Sequence, residues 1–312
     1  LLHSSRPSYS VPEKNMKKIV CFGEILWDLL PGKALPGGAP MNVAYHLHKL
    51  GENPVLVTRI GIDERGQKLL HILNAQGINT GYIQTDNDTP TGIVHAEANE
   101  HGAMKYDIVK PAAWDYIQPD VTTEQLAKDA GYFVFGSLST RAKASKETLF
   151  RFLEMAKSKV LDINLRAPFF NQRIVEELLH KTDVVKMNLA ELELITGWFA
   201  EYKNNEDRMQ LIQDRFNIRS VIVTMGGDGA VVNFQGKYYT HPGFKVTVAD
   251  TIGSGDAFLA GFLNKILNGE APEHALTFAS ALGALVTSKS GGWPDYTIGE
   301  IENIIQPTST IS

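Results

Sequence analysis

Residues 245–267 read Lys-Val-Thr-Val-Ala-Asp-Thr-Ile-Gly-Ser-Gly-Asp-Ala-Phe-Leu-Ala-Gly-Phe-Leu-Asn-Lys-Ile-Leu. Alternation predicts a short strand ending at Asp250, then a glycine-broken turn, then an apolar helix opening at or near Asp256. A helix start exposes backbone N–H groups and a partial positive charge, so this turn is a candidate anion site. Gly253 and Gly255 let the main chain approach an anion with no Cβ in between. A carboxylate in the same turn is placed to take a proton from a hydroxyl beside that anion. Asp is also a common N-cap residue, and a plain capped helix explains the motif on local grounds. The chemistry the whole pattern fits is phosphoryl transfer to an alcohol.

Outward from this stretch, short β-branched or apolar runs alternate with helical ones. Residues 19–23, 55–60, 132–135, 160–163, 184–187, 221–224 and 231–234 read as strands. Residues 42–50, 66–75, 143–158, 172–180, 206–216, 256–267 and 273–289 read as helices. Many of the strands are apolar nearly throughout, as expected where both faces are covered. The alternation predicts an α/β fold with a central, mostly parallel β-sheet and helices packed on it. Ligands of such sheets bind beyond the carboxyl ends of the strands, and the sharpest motifs fall there. Residues 91–109 break the rhythm and read as a hairpin. With few neighbours it needs a cover, as a lid, a dimer contact or both.

Composition narrows the function classes. At 312 residues, one large domain, with or without a small appendage, is the expectation. An apolar share of 43% suits a packed core. The formal net charge of −5 argues against nucleic acid as the main partner. Cys21 is the sole cysteine, which excludes an internal disulfide and fits a cytoplasmic setting. No run of 18 apolar residues is present, so no membrane span is expected. Residues 1–15 are rich in Ser and Pro, lack the apolar core of a signal peptide, and read as a flexible N-terminal extension. Gly61 to Lys68 lacks the Gly-Lys-Ser/Thr end of a P-loop, and no Gly-x-Gly-x-x-Gly follows the first strand. A nicotinamide oxidoreductase therefore loses its main support. No metal-ligand cluster or histidine-based triad stands out.

Other polar motifs each carry a plain structural reading beside a functional one. Gly37, Gly38 and Asn42 precede a helix, where main chain and a short amide approach a small polar ligand, or simply form a turn. Asp28 is an acid where a strand should be ending. Asn188 and Glu191 match a capping box, and also offer oxygen atoms to a hydrated Mg²⁺. Asp162, Asn164 and Arg166 alternate onto one side of a strand end, where a guanidinium grips hydroxyls or phosphate, or makes an ion pair. Thr224, Gly226 and Gly229 form a tight turn or line a nucleotide.

In this combination the chain resembles the ribokinase-like (PfkB) carbohydrate kinases. One family signature is matched from Gly37 through Asn42, Ala44 and Gly51 to Gly61, and a second from Asp250 through Gly253 and Asp256 to Leu263. The resemblance implies a ribokinase-like fold, flanked by helices on both faces, over residues 16–306. Strands near 25–36 and 91–109 would form a small β-sheet lid, often used for homodimer contacts. It implies ATP as phosphoryl donor, Mg²⁺, and a small-molecule sugar as acceptor. Asp256 would be the general base, with Gly253, Ser254 and Gly255 as anion hole. Asp28, Gly37, Gly38, Asn42 and Arg166 would bind the sugar. Asn188 and Glu191 would organise Mg²⁺, Glu191 through water, and Thr224, Gly226 and Gly229 would line the nucleotide site. The positive helix end is expected to keep Asp256 ionised and a weak base.

Ribokinases also hold a monovalent cation near the positions of Asp250 and Ile252, so the resemblance admits K⁺. Here Ile163 stands where the family often has proline, and Gly292 where it often has alanine, followed by Trp293 and Pro294. Residues 22–31 and 37–44 look most like bacterial fructokinases, making D-fructose to fructose 6-phosphate the expected reaction. Ribose, 2-keto-3-deoxygluconate and nucleosides stay open as acceptors, as does a non-catalytic sugar-binding protein.

Overall fold

The computed structural model describes residues 18–98 and 104–306. The N-terminal extension and the tip of the 91–109 hairpin lie outside the described residues. Strands β1 (Ile19–Phe22), β4 (Val55–Gly61), β5 (Ile83–Asp86), β8 (Tyr132–Gly136), β9 (Lys159–Asp162), β10 (Val184–Asn188), β11 (Ser220–Thr224), β12 (Ala230–Phe234) and β13 (Lys237–His241) form one sheet. Its spatial order is β13-β12-β11-β10-β9-β8-β1-β4-β5. From β5 to β11 every pairing is parallel, and β12 and β13 are antiparallel additions at one edge.

Both faces are covered, because successive side chains of a strand point to opposite sides. Val20 and Phe22 enter one core cluster, and Ile19 and Cys21 the other. The first face is packed by α3 (Val121–Asp129), α4 (Lys143–Met155), α5 (Gln172–Leu179), α6 (Leu189–Gly197) and α7 (Asn205–Phe216). The second is packed by α1 (Ala39–Lys49), α2 (Glu64–Ala75), α8 (Ser254–Leu267) and α9 (Pro272–Thr287), with α10 (Ile298–Ile305) beyond α9. Near-continuous apolar strands thus have the two-sided burial their composition demands. Among the described residues no helix is long and apolar enough to cross a membrane.

A second sheet has the order β3-β2-β6-β7, from β2 (Leu26–Leu30), β3 (Lys33–Gly37), β6 (Gly92–Ala98) and β7 (Met104–Ile108). β6 and β7 pair antiparallel, while β6 docks parallel on β2. The segment 245–250, expected as a strand, is not one. After β13 the chain is irregular, and the N–H groups of Ala249 and Asp250 bond to the carbonyl of Thr287 at the end of α9. Alternation favours an extended backbone, but a strand also needs a sheet edge, and this segment meets a helix terminus.

Candidate active site

One cavity of about 350 Å³ opens where the carboxyl ends of β1, β9, β10 and β11 meet the start of α8 and the small sheet. Glu24, Asn164, Asn188 and Thr224 line it from the strand ends, Asp28, Val94 and Ile108 from the small sheet, and Gly253, Gly255 and Asp256 from α8. Gly38, Asn42, Arg166, Thr251 and Ile252 also face it. Ser254, Gly37, Glu191, Gly226 and Gly229 do not line it directly. A larger cavity of about 870 Å³ lies at the far end of α8. There Glu52 is held by Asn264 and Asn268, and Lys265 by Glu270.

Helix α8 begins at Ser254, with Gly253 as N-cap and Asp256 as the third helical residue. Asp256 is therefore not the cap that the sequence suggests. Gly253 makes this possible: its φ is +74°, and an added Cβ would sit 2.6 Å from Cα of Gly292. The backbone N–H groups of Gly255 and Asp256 make no hydrogen bond to any described residue. Bare amides and a carboxylate thus share one helical turn.

Asp256 is buried, and Nδ2 of Asn42 donates to its Oδ2 at 2.7 Å. Its pKa is pushed up to about 7, first by burial and next by the nearby Asp162 carboxylate. Lys186, the Asn42 bond and Arg166 act in the opposite direction. The expectation of an ionised, weakly basic carboxylate is thereby corrected, because loss of water outweighs the favourable charges around it. The group is poised near neutrality.

Lys186 was not singled out by the sequence reading, although a lysine inside the apolar run of β10 is itself a signal. Its Nζ donates to both oxygens of Asp162, at 2.8 and 3.1 Å. A Cβ placed on Gly255 would lie 2.7 Å from that Nζ, so the ammonium sits against the first turn of α8. Burial would lower its pKa, but Asp162 and then Asp256 hold it raised, and it stays a cation. Glu24 was also missed. It is 2% exposed, its Oε1 accepts from the Ala39 N–H at 3.2 Å, and its Oε2 has no partner among the described residues.

Asn188 and Glu191 form the capping box of α6, Asn188 Oδ1 accepting from Glu191 N at 2.9 Å and Glu191 Oε2 from Asn188 N at 2.8 Å. Oε1 of Glu191 accepts from Leu165 N at 2.8 Å. Burial raises its pKa. Both oxygens already hold backbone donors, so the carboxylate fits contact with Mg²⁺ through water better than direct ligation. Among the described residues no cluster of three or more His, Cys, Asp or Glu could hold a metal by itself. Asp250 Oδ1 accepts from Ile252 N and Oδ2 from Gly291 N, each at 3.0 Å. It ties the turn before α8 to the segment after α9.

Asp28, Asn164 and Arg166 differ in place from the sequence expectation, whereas Gly226 and Gly229 lie in the expected turn. Asp28 lies mid-strand in β2, and its pKa is raised to about 6 by burial. Gly37 backs directly onto it, since an added Cβ would meet Asp28 Oδ2 at 2.1 Å. Asp162, Asn164 and Arg166 do not share one strand face. β9 ends at Asp162, Asn164 has φ +36°, and Arg166 is exposed at the rim. Gly226 and Gly229 flank a short 3-10 turn after β11, and Gly229 abuts the backbone of residues 241–243.

Residues 16–296 match the family model described as pfkB family carbohydrate kinase. Fructokinase-1 of Zea mays is 29% identical over 324 residues, covering 92% of this chain and 97% of the relative. Among solved structures, the fructokinase from Xylella fastidiosa with bound ATP superposes with a TM-score of 0.82 at 24% identity, over 94% of this chain and 99% of that one. The fructokinase from Vibrio cholerae O395 with bound fructose, ADP and calcium gives 0.80 at 24% identity, over 93% and 99%.

Proposed function

The chain belongs to the pfkB family of carbohydrate kinases, and we propose that it transfers the γ-phosphoryl group of ATP to D-fructose, giving fructose 6-phosphate. It is an ATP-dependent sugar kinase; the choice of fructose is our reading. One observation carries the chemistry: a buried carboxylate with a pKa near 7 shares its helical turn with two unpaired amides, inside the cavity. Fructose is supported by the name of the similar Zea mays protein. Among the described lining residues no aromatic ring is present to stack a base.

In this reading Asp256 accepts the proton of the sugar hydroxyl as its oxygen bonds to the γ-phosphorus. The bond from that phosphorus to the β-phosphate oxygen breaks, and ADP leaves with the electron pair. The amides of Gly255 and Asp256 face the charge that grows on the transferring group, with Gly253 and Ser254 shaping the hole. Lys186 adds a fixed positive charge beside Gly255. Asp28, Gly37, Gly38, Asn42 and Arg166 hold the sugar, and Asn188, Thr224, Gly226 and Gly229 flank the nucleotide. Glu191 would hold Mg²⁺ through water. Mg²⁺, when bound, neutralises phosphate charge. By the same resemblance the loop of Asp250 and Ile252 is assigned to a monovalent cation. The small sheet serves as lid, excluding water that would otherwise accept the phosphate, and as the surface for a homodimer. The sole cysteine, buried in β1, suits a cytoplasmic protein.

The test is ADP release over fructose, ribose, 2-keto-3-deoxygluconate and adenosine. Fructose is expected to give the highest kcat/KM. A higher value for another acceptor reassigns the substrate, and no turnover with any of them sinks the kinase reading. Asp256→Asn should lose at least about 10³-fold in kcat while sugar binding survives.

A further inference from the structure

Trp293 has no part in the mechanism above, yet it reaches the centre of the site. Its indole Nε1 donates to Oδ1 of Asn42 at 2.7 Å, across 251 positions of sequence. The ring stacks on Tyr45, with centroids 5.0 Å apart and planes within 3°. The Tyr45 hydroxyl in turn donates to the carbonyl of Pro294 at 3.0 Å. The indole is thus fixed by its neighbours before it meets Asn42.

An indole nitrogen only donates, whereas a primary amide has a donating end and an accepting end. The bond from Trp293 therefore decides which way the Asn42 amide faces. Its oxygen must turn to the indole, which leaves Nδ2 to face Oδ2 of Asp256 at 2.7 Å. We infer that Trp293 is a positioning residue for the base: by fixing the Asn42 amide it keeps a donor, never an acceptor, against the Asp256 carboxylate. The inference rests on the reading of Asp256 as base, but the orientation argument needs only the two hydrogen bonds.

Without the indole N–H the amide is free to turn over. Its oxygen would then face a carboxylate oxygen, an arrangement tolerated only when Asp256 carries the proton. The charged groups facing Asp256 come from elsewhere: Asp162 from β9, Lys186 from β10, and Arg166 from the loop after β9. No hydrogen bond or cation–π contact joins any of them to Trp293 among the described residues, so a change at residue 293 reports on the amide.

Trp293→Phe keeps a ring on Tyr45 and removes the donor. The Asp256 carboxyl is titrated by ¹³C NMR in the ligand-free wild type and in the variant, with Asp256→Asn to assign the signal. Its midpoint should rise by about half a unit to one unit, the size of one hydrogen bond. The acid limb of kcat/KM should move with it, giving roughly three- to tenfold lower activity at pH 6.5 and near-wild-type activity at pH 9. Trp293→Phe should add nothing further in an Asn42→Ala background. An unmoved midpoint, or a loss equal at every pH, overturns the proposal. If phenylalanine does not keep the fold, 3-benzothienylalanine at position 293, with sulfur in place of the N–H, repeats the titration. Should the wild type phosphorylate no sugar, the kinase reading falls, while the titration still decides what Trp293 does.

Discussion

Burial holds Asp256, the base we propose, away from its ordinary charge state. Its ordinary carboxyl pKa of 3.8 rises to about 7 in the folded chain, chiefly through burial. Between those values the folded protein keeps a proton that the unfolded chain has released. The stabilising contribution is therefore complete below about pH 4 and is lost as pH rises through about 7. Catalysis by the carboxylate runs the other way, with kcat/KM rising through the same upper limit. Asp256→Asn removes the titration, so its Tm should exceed that of the wild type at pH 8 and approach it at pH 5. Thermal unfolding at the two pH values checks this, and a variant less stable than wild type at pH 8 would count against the charge cost. Lys186 opposes that cost while Asp162 adds to it, and the Lys186–Asp162 pair at 2.8 Å leaves neither of those two buried charges unpartnered.

At the scale of elements, the site depends on where α8 starts. The left-handed Gly253 lets the chain turn under Gly292 and enter the helix with two amides free. Gly253→Ala would have to hold a strained φ and also push away the Gly292 backbone. A second left-handed glycine, Gly269 after the other end of α8, has φ +79° and no atom within 4 Å of an added Cβ. Both substitutions to alanine should cost about 1 kcal/mol or more in unfolding free energy. Only Gly253→Ala should lower kcat, by about tenfold or more, because only there would the proposed anion hole move. Equal kcat losses in the two variants would separate the helix start from the chemistry.

For the whole molecule the decisive joint is between the two sheets. The side chain of Arg141, in the turn after β8, is fully buried and donates to both oxygens of Asp115, at 2.7 and 2.9 Å. The same guanidinium donates to the carbonyl of Val109 at 2.9 Å and lies 3.8 Å from the Trp114 ring. It thereby ties the end of the β6–β7 hairpin to the large sheet. Arg141→Met removes the cationic partner of the buried Asp115, which keeps only the Ala112 N–H among the described residues, at a cost of about 3–5 kcal/mol by denaturant unfolding. The KM for sugar should also rise several-fold with little change in the KM for ATP, since Val94 and Ile108 of that hairpin line the cavity. A stable variant with an unchanged sugar KM would uncouple the hairpin from substrate.

Much of this was legible in the chain. Apolar strands bounded by amphipathic helices dictate a two-sided parallel sheet, because only helices on both faces can cover such strands. Glycines and an acid at a helix start make a candidate anion site that competes locally with a plain cap, so Gly253, Gly255 and Asp256 could be picked out in the sequence. What no local pattern carries is the company that Asp256 keeps. Asn42, Asp162, Lys186 and Trp293 come from four separate segments, and their meeting depends on strand order and helix packing. Burial sets the charge state of the base, and burial belongs to the tertiary structure. The same holds for segment 245–250, whose alternation asks for a sheet edge that the fold places elsewhere.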